Sequence, residues 1–391
     1  MRRCYLNAMA MLSAMGDSPE QVCELLSSGL PDLTLTDQFS NGNPLPLGLY
    51  NGELPEILFS ESKWHSRNNR FALAALHQIR SETDAAVKRY GADRVGVVIG
   101  TSTSGIGDSE NYLRQRAVTG QVPEGYDYGL QEMGATAAFV AKQLGVSGPV
   151  FGISTACSSG SKALASARRL LRSGLCDAVI AGGVDTLCHL TVQGFSSLEA
   201  VSKQPCNPFS INRNGINIGE AAALFLVTEE AGGIELAGVG ESSDAHHISA
   251  PDPSGAGAVR CMTAALSDAG VPAEKISYIN LHGTATSLND QMESRAVAEV
   301  FGSEVCCSST KPFTGHTLGA AGALEAAICW LALRQGFIPP HHWDGCADPA
   351  LPVINLVSEA CADTTPEYML SNSFAFGGNN ISLILRGCND I

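Results

Sequence analysis

The chain carries little charge, and positive charge is the scarcer kind. Only 16% of its 391 residues are Asp, Glu, Lys or Arg, and 24 basic residues against 39 acidic ones leave a formal net charge of -15. That balance argues against a general nucleic-acid or anionic-membrane role, although a local basic patch could still bind an acidic partner. No stretch sustains the roughly 20 apolar residues that a membrane span requires. The N-terminal run Ala8-Met9-Ala10-Met11-Leu12 soon meets Gly16-Asp17-Ser18-Pro19-Glu20, too short for a signal peptide's apolar region. No charged or low-complexity linker divides the chain, and no cysteine cluster has zinc-ligand spacing. The thirteen cysteines are odd in number and scattered, with Cys306 and Cys307 adjacent, which is not a disulfide framework. A reducing cytoplasm is the compartment that fits.

What the chain has in quantity is apolar residues, at 45%, and 41 glycines. A chain of this length and composition predicts two domains or one large duplicated one, joined by tight turns. Short apolar runs alternate with Ala-rich helical segments, the pattern of an α/β protein with buried strands. An opening strand is followed by a helix capped by Ser18. Further strands are expected at 95–99, 178–181, 222–227, 276–281 and 381–385, and helices at 71–80, 161–172, 259–269, 291–301 and 320–334. The Pro/Gly/Asn/Ser-rich stretch from Thr34 to Ser66 reads as a surface covering. A faint echo links Val98-Ile99-Gly100-Thr101-Ser102-Thr103-Ser104 with Leu281-His282-Gly283-Thr284-Ala285-Thr286-Ser287, each after an apolar strand.

Three small-residue turns carry the chemistry: Ser154-Thr155-Ala156-Cys157-Ser158-Ser159-Gly160, then the His282 segment, then Lys311-Pro312-Phe313-Thr314-Gly315-His316-Thr317-Leu318-Gly319. Cys157 stands where a helix begins, and the unpaired N–H groups of a helix start lower a thiol pKa and can bind an oxyanion. Taken singly, Cys157 reads as a buried structural cysteine and each histidine as a hydrogen-bonded core residue. Together they suit acyl transfer through a thiol. Two histidines suit a decarboxylation better than a hydrolysis, because neutral imidazole N–H groups can hold the enolate oxygen left when carbon dioxide departs.

These motifs, with Ala320-Ala321-Gly322-Ala323-Leu324-Glu325 and Asn372-Ser373-Phe374-Ala375-Phe376-Gly377-Gly378-Asn379-Asn380 in the same order, resemble the β-ketoacyl-acyl carrier protein synthases of the elongating type, thiolase-fold condensing enzymes. The resemblance covers nearly the whole chain. It implies a five-layered αβαβα, thiolase-like fold of two similar halves, 1–232 carrying the nucleophilic cysteine and 233–391 carrying both histidines. It also implies Cys157 as acyl acceptor, His282 and His316 as the decarboxylating pair, and a Lys311–Glu325 ion pair ordering His316 and its loop. Phe376 would be a gating residue whose N–H completes the oxyanion hole with that of Cys157. Thr284 and Thr286 would bind the pantetheine arm, Ile106 and Phe195 would line the acyl pocket, and Asp290 would be a structural carboxylate. Lys63, Arg67 and Arg70 would dock the acidic acyl carrier protein.

The resemblance implies no metal and no organic cofactor, since phosphopantetheine arrives as the carrier's own arm. The partner subunit would be a second copy or a chain-length-factor-like relative. Within Pro208–Ala221 the chain departs from the family: expected acids are Ser210 and Asn214, and an expected aromatic is Ile216. These changes resemble ketosynthases of specialised type II pathways, polyketide or aryl polyene, rather than of housekeeping fatty-acid synthesis. A thiolase would need a second cysteine in a Cys-x-Gly turn near the C-terminus, whereas Cys388 precedes Asn389-Asp390. A silent chain-length factor would lack the nucleophile.

Overall fold

Every residue of Ala178–Asp185 and of Ala221–Thr228 is buried, so both strands are covered on two faces and both read as continuous apolar runs. The computed structural model describes residues 2–28, 30–357 and 366–387; Cys388 lies outside them. Strands run Tyr5–Leu12 (β1), Thr34–Thr36 (β2), Leu45–Leu47 (β3), Val95–Gly100 (β4), Val150–Ile153 (β5), Ala178–Asp185 (β6), Ala221–Thr228 (β7), Ile234–Ser243 (β8), Ile276–Asn280 (β9), Cys306–Ser308 (β10), Asn355–Leu356 (β11), Tyr368–Ala375 (β12) and Asn379–Arg386 (β13). β2 and β3 form a small ribbon; the others form one sheet ordered β11-β10-β9-β12-β13-β8-β1-β7-β6-β4-β5.

That order is a duplication. β4 pairs in parallel with β5 and β6, β6 antiparallel with β7, and β7 antiparallel with β1. β9 pairs in parallel with β10 and β12, β12 antiparallel with β13, and β13 antiparallel with β8. Replacing β1, β4, β5, β6 and β7 by β8, β9, β10, β12 and β13 reproduces the order and every direction. The two half-sheets join where Tyr5 and Leu6 pair with Glu235 and Ile234, with Leu236 N donating to Cys4 O beside them. The sequence echo falls at equivalent places, the ends of β4 and β9.

Helices Ser159–Arg172 and Ala321–Gln335 pack against each other and against both half-sheets. Helices Arg67–Gln78, Arg80–Tyr90 and Ala135–Leu144 cover one outer face; Ala256–Ala269 and Ser287–Phe301 cover the other. Strand alternation sorts side chains between layers: Val97 and Ile99 face the outer helices while Val98 faces the central pair. Ala321–Gln335 has its side chains buried on nearly every side, as its apolar composition requires. The central helices approach closely because small residues face each other. A Cβ on Gly160 would lie 2.8 Å from the backbone nitrogen of Ala323, and one on Gly322 would lie 2.2 Å from Ser161 Oγ.

Helices begin a few residues before the apolar periodicity does: at Arg67, Ser159 and Ser287 polar residues make the first turn, and at Ala256 small ones do. The stretch 34–66 is not merely a surface covering. Leu45 and Leu47 join a buried cluster with Leu187, Ile216, Ile218 and Leu318, and Gly48 sits so close that a Cβ there would meet Thr314 O at 2.0 Å.

Overpacking at the central helix contact should therefore cost stability. Gly160→Val is expected to destabilise by about 1–3 kcal/mol in urea unfolding. Gly134→Ala, where a Cβ meets nothing within 4 Å, should leave stability unchanged or raise it by up to about 1 kcal/mol. Equal effects at the two positions would refute the close-packed seam.

Candidate active site

Cys157 stands at the junction of β5 and the central helix Ser159–Arg172. Ala156 before it is left-handed, with φ 53°, a strained state for a residue with a Cβ. Hydroxyls hold the turn: Ser159 Oγ accepts from Thr155 N at 2.9 Å and donates to Ala156 O at 2.6 Å, and Ser158 Oγ donates to Thr155 O at 2.8 Å. The backbone N–H groups of Phe376 and of Cys157 itself point toward the sulfur. These are the two donors that an oxyanion forming beside Sγ would meet.

The thiol is buried, and burial pushes its pKa up to about 11, although Lys311's charge and the two N–H groups pull the other way. The expectation that a helix start would leave a low-pKa thiol is thus overturned: loss of water outweighs the favourable dipoles. His316 Nε2 lies 3.0 Å from Sγ. Both histidines are held well below the usual imidazole range, first by burial and then by the Lys311 charge. At neutral pH the resting pair is a thiol and a neutral imidazole.

The two rings stand edge to face with centroids 5.3 Å apart. His282 is fixed through its backbone: His282 N and Gly283 N each donate at 2.7 Å to the buried Glu293 carboxylate. His316 is fixed likewise, its N–H donating to Asn217 O at 2.6 Å and its carbonyl accepting from Gly219 N at 3.0 Å. Lys311 connects the two segments. Its ammonium donates to His282 O at 2.5 Å and pairs with Glu325, while its carbonyl accepts from Gly315 N at 2.8 Å, beside His316. Lys311 and Glu325 are 2% and 3% exposed, so neither is a solvated surface charge.

A cleft of about 430 Å³ opens onto the pair, and Cys157, His282, His316, Thr284, Thr286, Phe195 and Phe376 all line it. The hydroxyls of Thr284 and Thr286 are 2.9 Å apart. Phe376 packs on Phe195 with centroids 5.7 Å apart. Gly377 and Gly378, with φ of 84° and 74°, let the chain turn sharply behind Phe376. The sulfur and imidazole nitrogens lie within 4.8 Å of one another, close enough for a soft cation. Yet Nδ1 of each histidine has no hydrogen-bond partner, whereas metal-bound imidazoles are normally oriented through their second nitrogen.

Other expected residues fall elsewhere. Ile106 opens helix Ile106–Thr119 and does not line the cleft; its neighbour Gly107 faces Cys188 instead. Asp290 touches neither histidine; it accepts from Phe209 N at 2.7 Å, and burial raises it to about 6. Arg67 is held by a partner within the chain, with 35% of its side chain left exposed. Its guanidinium forms a fork with the fully buried Glu220, Nε to Oε2 at 3.0 Å and Nη2 to Oε1 at 2.5 Å. Arg70 is turned inward to Leu54 O and Pro55 O, and Lys63 lies over the Trp64 ring. The sequence reasoning missed Glu293 and also Asp185, which gathers Thr101, Ser102 N, Thr103 and Gly319 N at the ends of β4 and β6. The spacing of Asp290 and Glu293, i and i+3, was the available sign for Glu293.

Comparison with known proteins agrees with this geometry. The profile described as "Beta-ketoacyl synthase, N-terminal domain" matches residues 49–232, and "Beta-ketoacyl synthase, C-terminal domain" matches 234–343. The chain belongs to the β-ketoacyl synthase family. Nodulation protein E of Rhizobium meliloti (strain 1021) is 34% identical over 81% of each chain, and the 3-oxoacyl-[acyl-carrier-protein] synthase 2 of Staphylococcus aureus (strain COL) is 29% identical over 98% of each. The ketosynthase ApeO of Xenorhabdus doucetiae, solved in complex with its chain length factor ApeC, superposes with a TM-score of 0.94 and 45% identity, covering 99% of this chain and 98% of that one. This β-ketoacyl synthase is therefore an acyltransferase-type condensing enzyme with the thiolase-like fold. Among the described residues no helix is long and apolar enough to cross a membrane.

Two expectations test the site's electrostatics. Lys311→Met leaves Glu325 buried without its cation and should cost about 3–5 kcal/mol. Lys311→Met/Glu325→Leu should recover most of that in urea unfolding, and a double variant no more stable than the single one would contradict the pairing. The alkylation rate of Cys157 by iodoacetamide, followed on its peptide by mass spectrometry, should keep rising through pH 9, the ordinary thiol value from which burial raises it. A plateau near neutral pH would reveal a resting thiolate and overturn the assignment.

Proposed function

We propose that this synthase extends an acyl chain by two carbons through decarboxylative Claisen condensation, with Cys157, His282 and His316 as its catalytic residues. The observation that carries the proposal is the placing of two neutral histidines beside one buried thiol. Cys157 Sγ attacks an acyl thioester as its proton passes to His316 Nε2, and the oxyanion is held by the N–H groups of Cys157 and Phe376. Collapse expels the carrier thiolate, which takes that proton. Malonyl thioester then enters; its C–C bond to the carboxylate breaks, carbon dioxide leaves, and the enolate oxygen is held by neutral imidazole N–H donors. The enolate carbon attacks the acyl carbon, the oxyanion collapses, and Cys157 leaves as a thiolate that takes one proton from solvent to regain the resting thiol. Burial excludes the water that would protonate the enolate.

The donors would be acyl and malonyl forms of an acyl carrier protein, their phosphopantetheine arms entering along Thr284 and Thr286 with Phe376 as gate. No cofactor of the enzyme's own enters this sequence. The partner would be a chain-length-factor-like subunit, supported by the assembly of ApeO and by β5, an edge strand whose residues Val150 to Ile153 are only partly covered. Ser210, Asn214 and Ile216 support a specialised type II pathway, polyketide or aryl polyene, working in the cytoplasm. Halves 1–232 and 233–391 contribute the cysteine and the histidines respectively. Lys63, Arg67 and Arg70 remain candidates for carrier docking.

Mass spectrometry of the protein incubated with a panel of acyl and malonyl carrier-protein thioesters tests this reading. Cys157→Ala should show no acylation, while Cys306→Ala retains it. His282→Ala should suppress malonyl decarboxylation by about 10² or more, the usual loss for one positioned donor, and leave acylation largely intact. His316→Ala should impair both steps, because it touches the sulfur. Persistent acylation of the Cys157→Ala protein would disprove the nucleophile assignment.

A further inference from the structure

The cleft wall opposite the histidines is Arg213-Asn214-Gly215-Ile216. Within Pro208–Ile216 there is no acid, yet Arg213 is 92% buried by side chain, with 8% exposed. A cation so placed needs a carboxylate, and here it comes from a distant segment. Arg213 Nη1 donates to Asp348 Oδ2 at 2.6 Å as well as to Ser210 O at 2.8 Å. Asp344 takes the other side of the same turn, accepting from Ser210 Oγ at 2.8 Å and Asn212 Nδ2 at 2.9 Å. Ile211 N donates to Cys346 O at 3.0 Å, so backbone as well as side chains join the two segments.

The wall so braced is coupled to the threonine pair. Gly215 N donates at 2.9 Å to Ala285 O, the carbonyl between Thr284 and Thr286. Ala285 is left-handed, with φ 63°, so the threonine turn is a strained conformation that its neighbours must hold. Gly215 cannot shift freely, since its Cα faces Ala200 so closely that a Cβ would lie 2.4 Å from Ala200 O. A continuous path of bonds therefore runs from Asp348 through Arg213 and Gly215 to Thr284 and Thr286.

We infer that Asp344 and Asp348 are positioning residues that set the cleft wall, and through Ala285 the two threonine hydroxyls, for the pantetheine arm of the incoming thioester. They replace the carboxylates that positions 210 and 214 lack. The inference rests on the proposed condensation, since it concerns that reaction's donor. Removing the Asp348 charge frees the wall without touching the sulfur or the imidazoles, so the loss falls on donor binding rather than on chemistry.

The test is steady-state kinetics with an acyl-pantetheine thioester and with the same acyl group on carrier protein. Asp348→Asn should raise KM for both donors on the order of tenfold, in line with couplings carried through such networks, and change kcat by less than about twofold. Cys157 alkylation should be unaltered. Asp348→Glu, which keeps the carboxylate, should hold KM within about twofold of wild type, a retention that a general loss of packing would not show. Should Asp348→Asn fail to fold, Arg213→Lys, which keeps the charge but loses the planar guanidinium whose Nη1 serves both Asp348 and Ser210 O, is expected to raise KM in the same way. Unchanged KM for acyl-pantetheine in Asp348→Asn, or a KM raised as far by Asp348→Glu, overturns the inference while leaving the condensation in place. Wild-type protein that turns over neither donor overturns the proposed function itself.

Discussion

The buried ammonium of Lys311 is the charge on which this site turns. It lies in a region where water cannot screen it, so its effect reaches every titrating group nearby. It depresses both histidines beyond what burial does alone, and it partly offsets the burial that raises the Cys157 thiol. It also bonds the carbonyl of His282 while its own backbone anchors Gly315, next to His316. One side chain thus helps fix where the imidazoles stand and reinforces the neutral state that burial already imposes. Glu325 makes this tolerable, since a lone ammonium at that depth would lose its proton instead. Glu325 is itself raised by burial, with Lys311 opposing, which leaves the pair close to balance rather than strongly stabilising.

The duplicated topology explains why such a charge can be buried at all. Cys157 lies in the turn between its strand and one central helix; His316 precedes the equivalent helix of the other half, and Glu325 lies within that helix. Bringing equivalent helix starts together at the seam concentrates the functional turns in the middle of the molecule, far from solvent. Small residues make the contact possible, because Gly160 meets Ala323 and Gly183 meets Ala320 at near-backbone distance. The Ala- and Gly-rich composition of both motifs has a packing cause, independent of the chemistry beside it.

Legibility of the site in the sequence follows from how local each cause is. Cys157, His282, His316, the threonine pair and Phe376 stand in turns whose small neighbours are visible along the chain, and the structure gathers all of them around one cleft. The duplication was visible only as a seven-residue echo, but it marks equivalent strand ends. Residues whose role depends on a distant partner were misread or missed. Arg67 looked like a free cation at a helix start until Glu220, 153 positions on, claimed its guanidinium. Glu293 looked like an ordinary helix acid, yet it receives two backbone N–H groups from the His282 turn. The thiol pKa failed for a related reason: the helix start is a local feature, whereas burial depends on the packing of both halves.

The same distinction bears on substrate choice. The catalytic turns sit on strand ends and central helices, elements whose packing leaves little freedom, so their geometry is set by the fold. The wall is different, a loop whose buried cation, Arg213, is balanced by one carboxylate, Asp348, from another loop. Rigid chemistry and an adjustable wall can then change independently, because neither Asp344 nor Asp348 bonds Cys157, His282 or His316. A family that keeps one reaction while varying the acyl group would be expected to diverge at such walls. In this chain 208–216 holds no acid, and the carboxylates that bond its polar groups come from 344 and 348 instead.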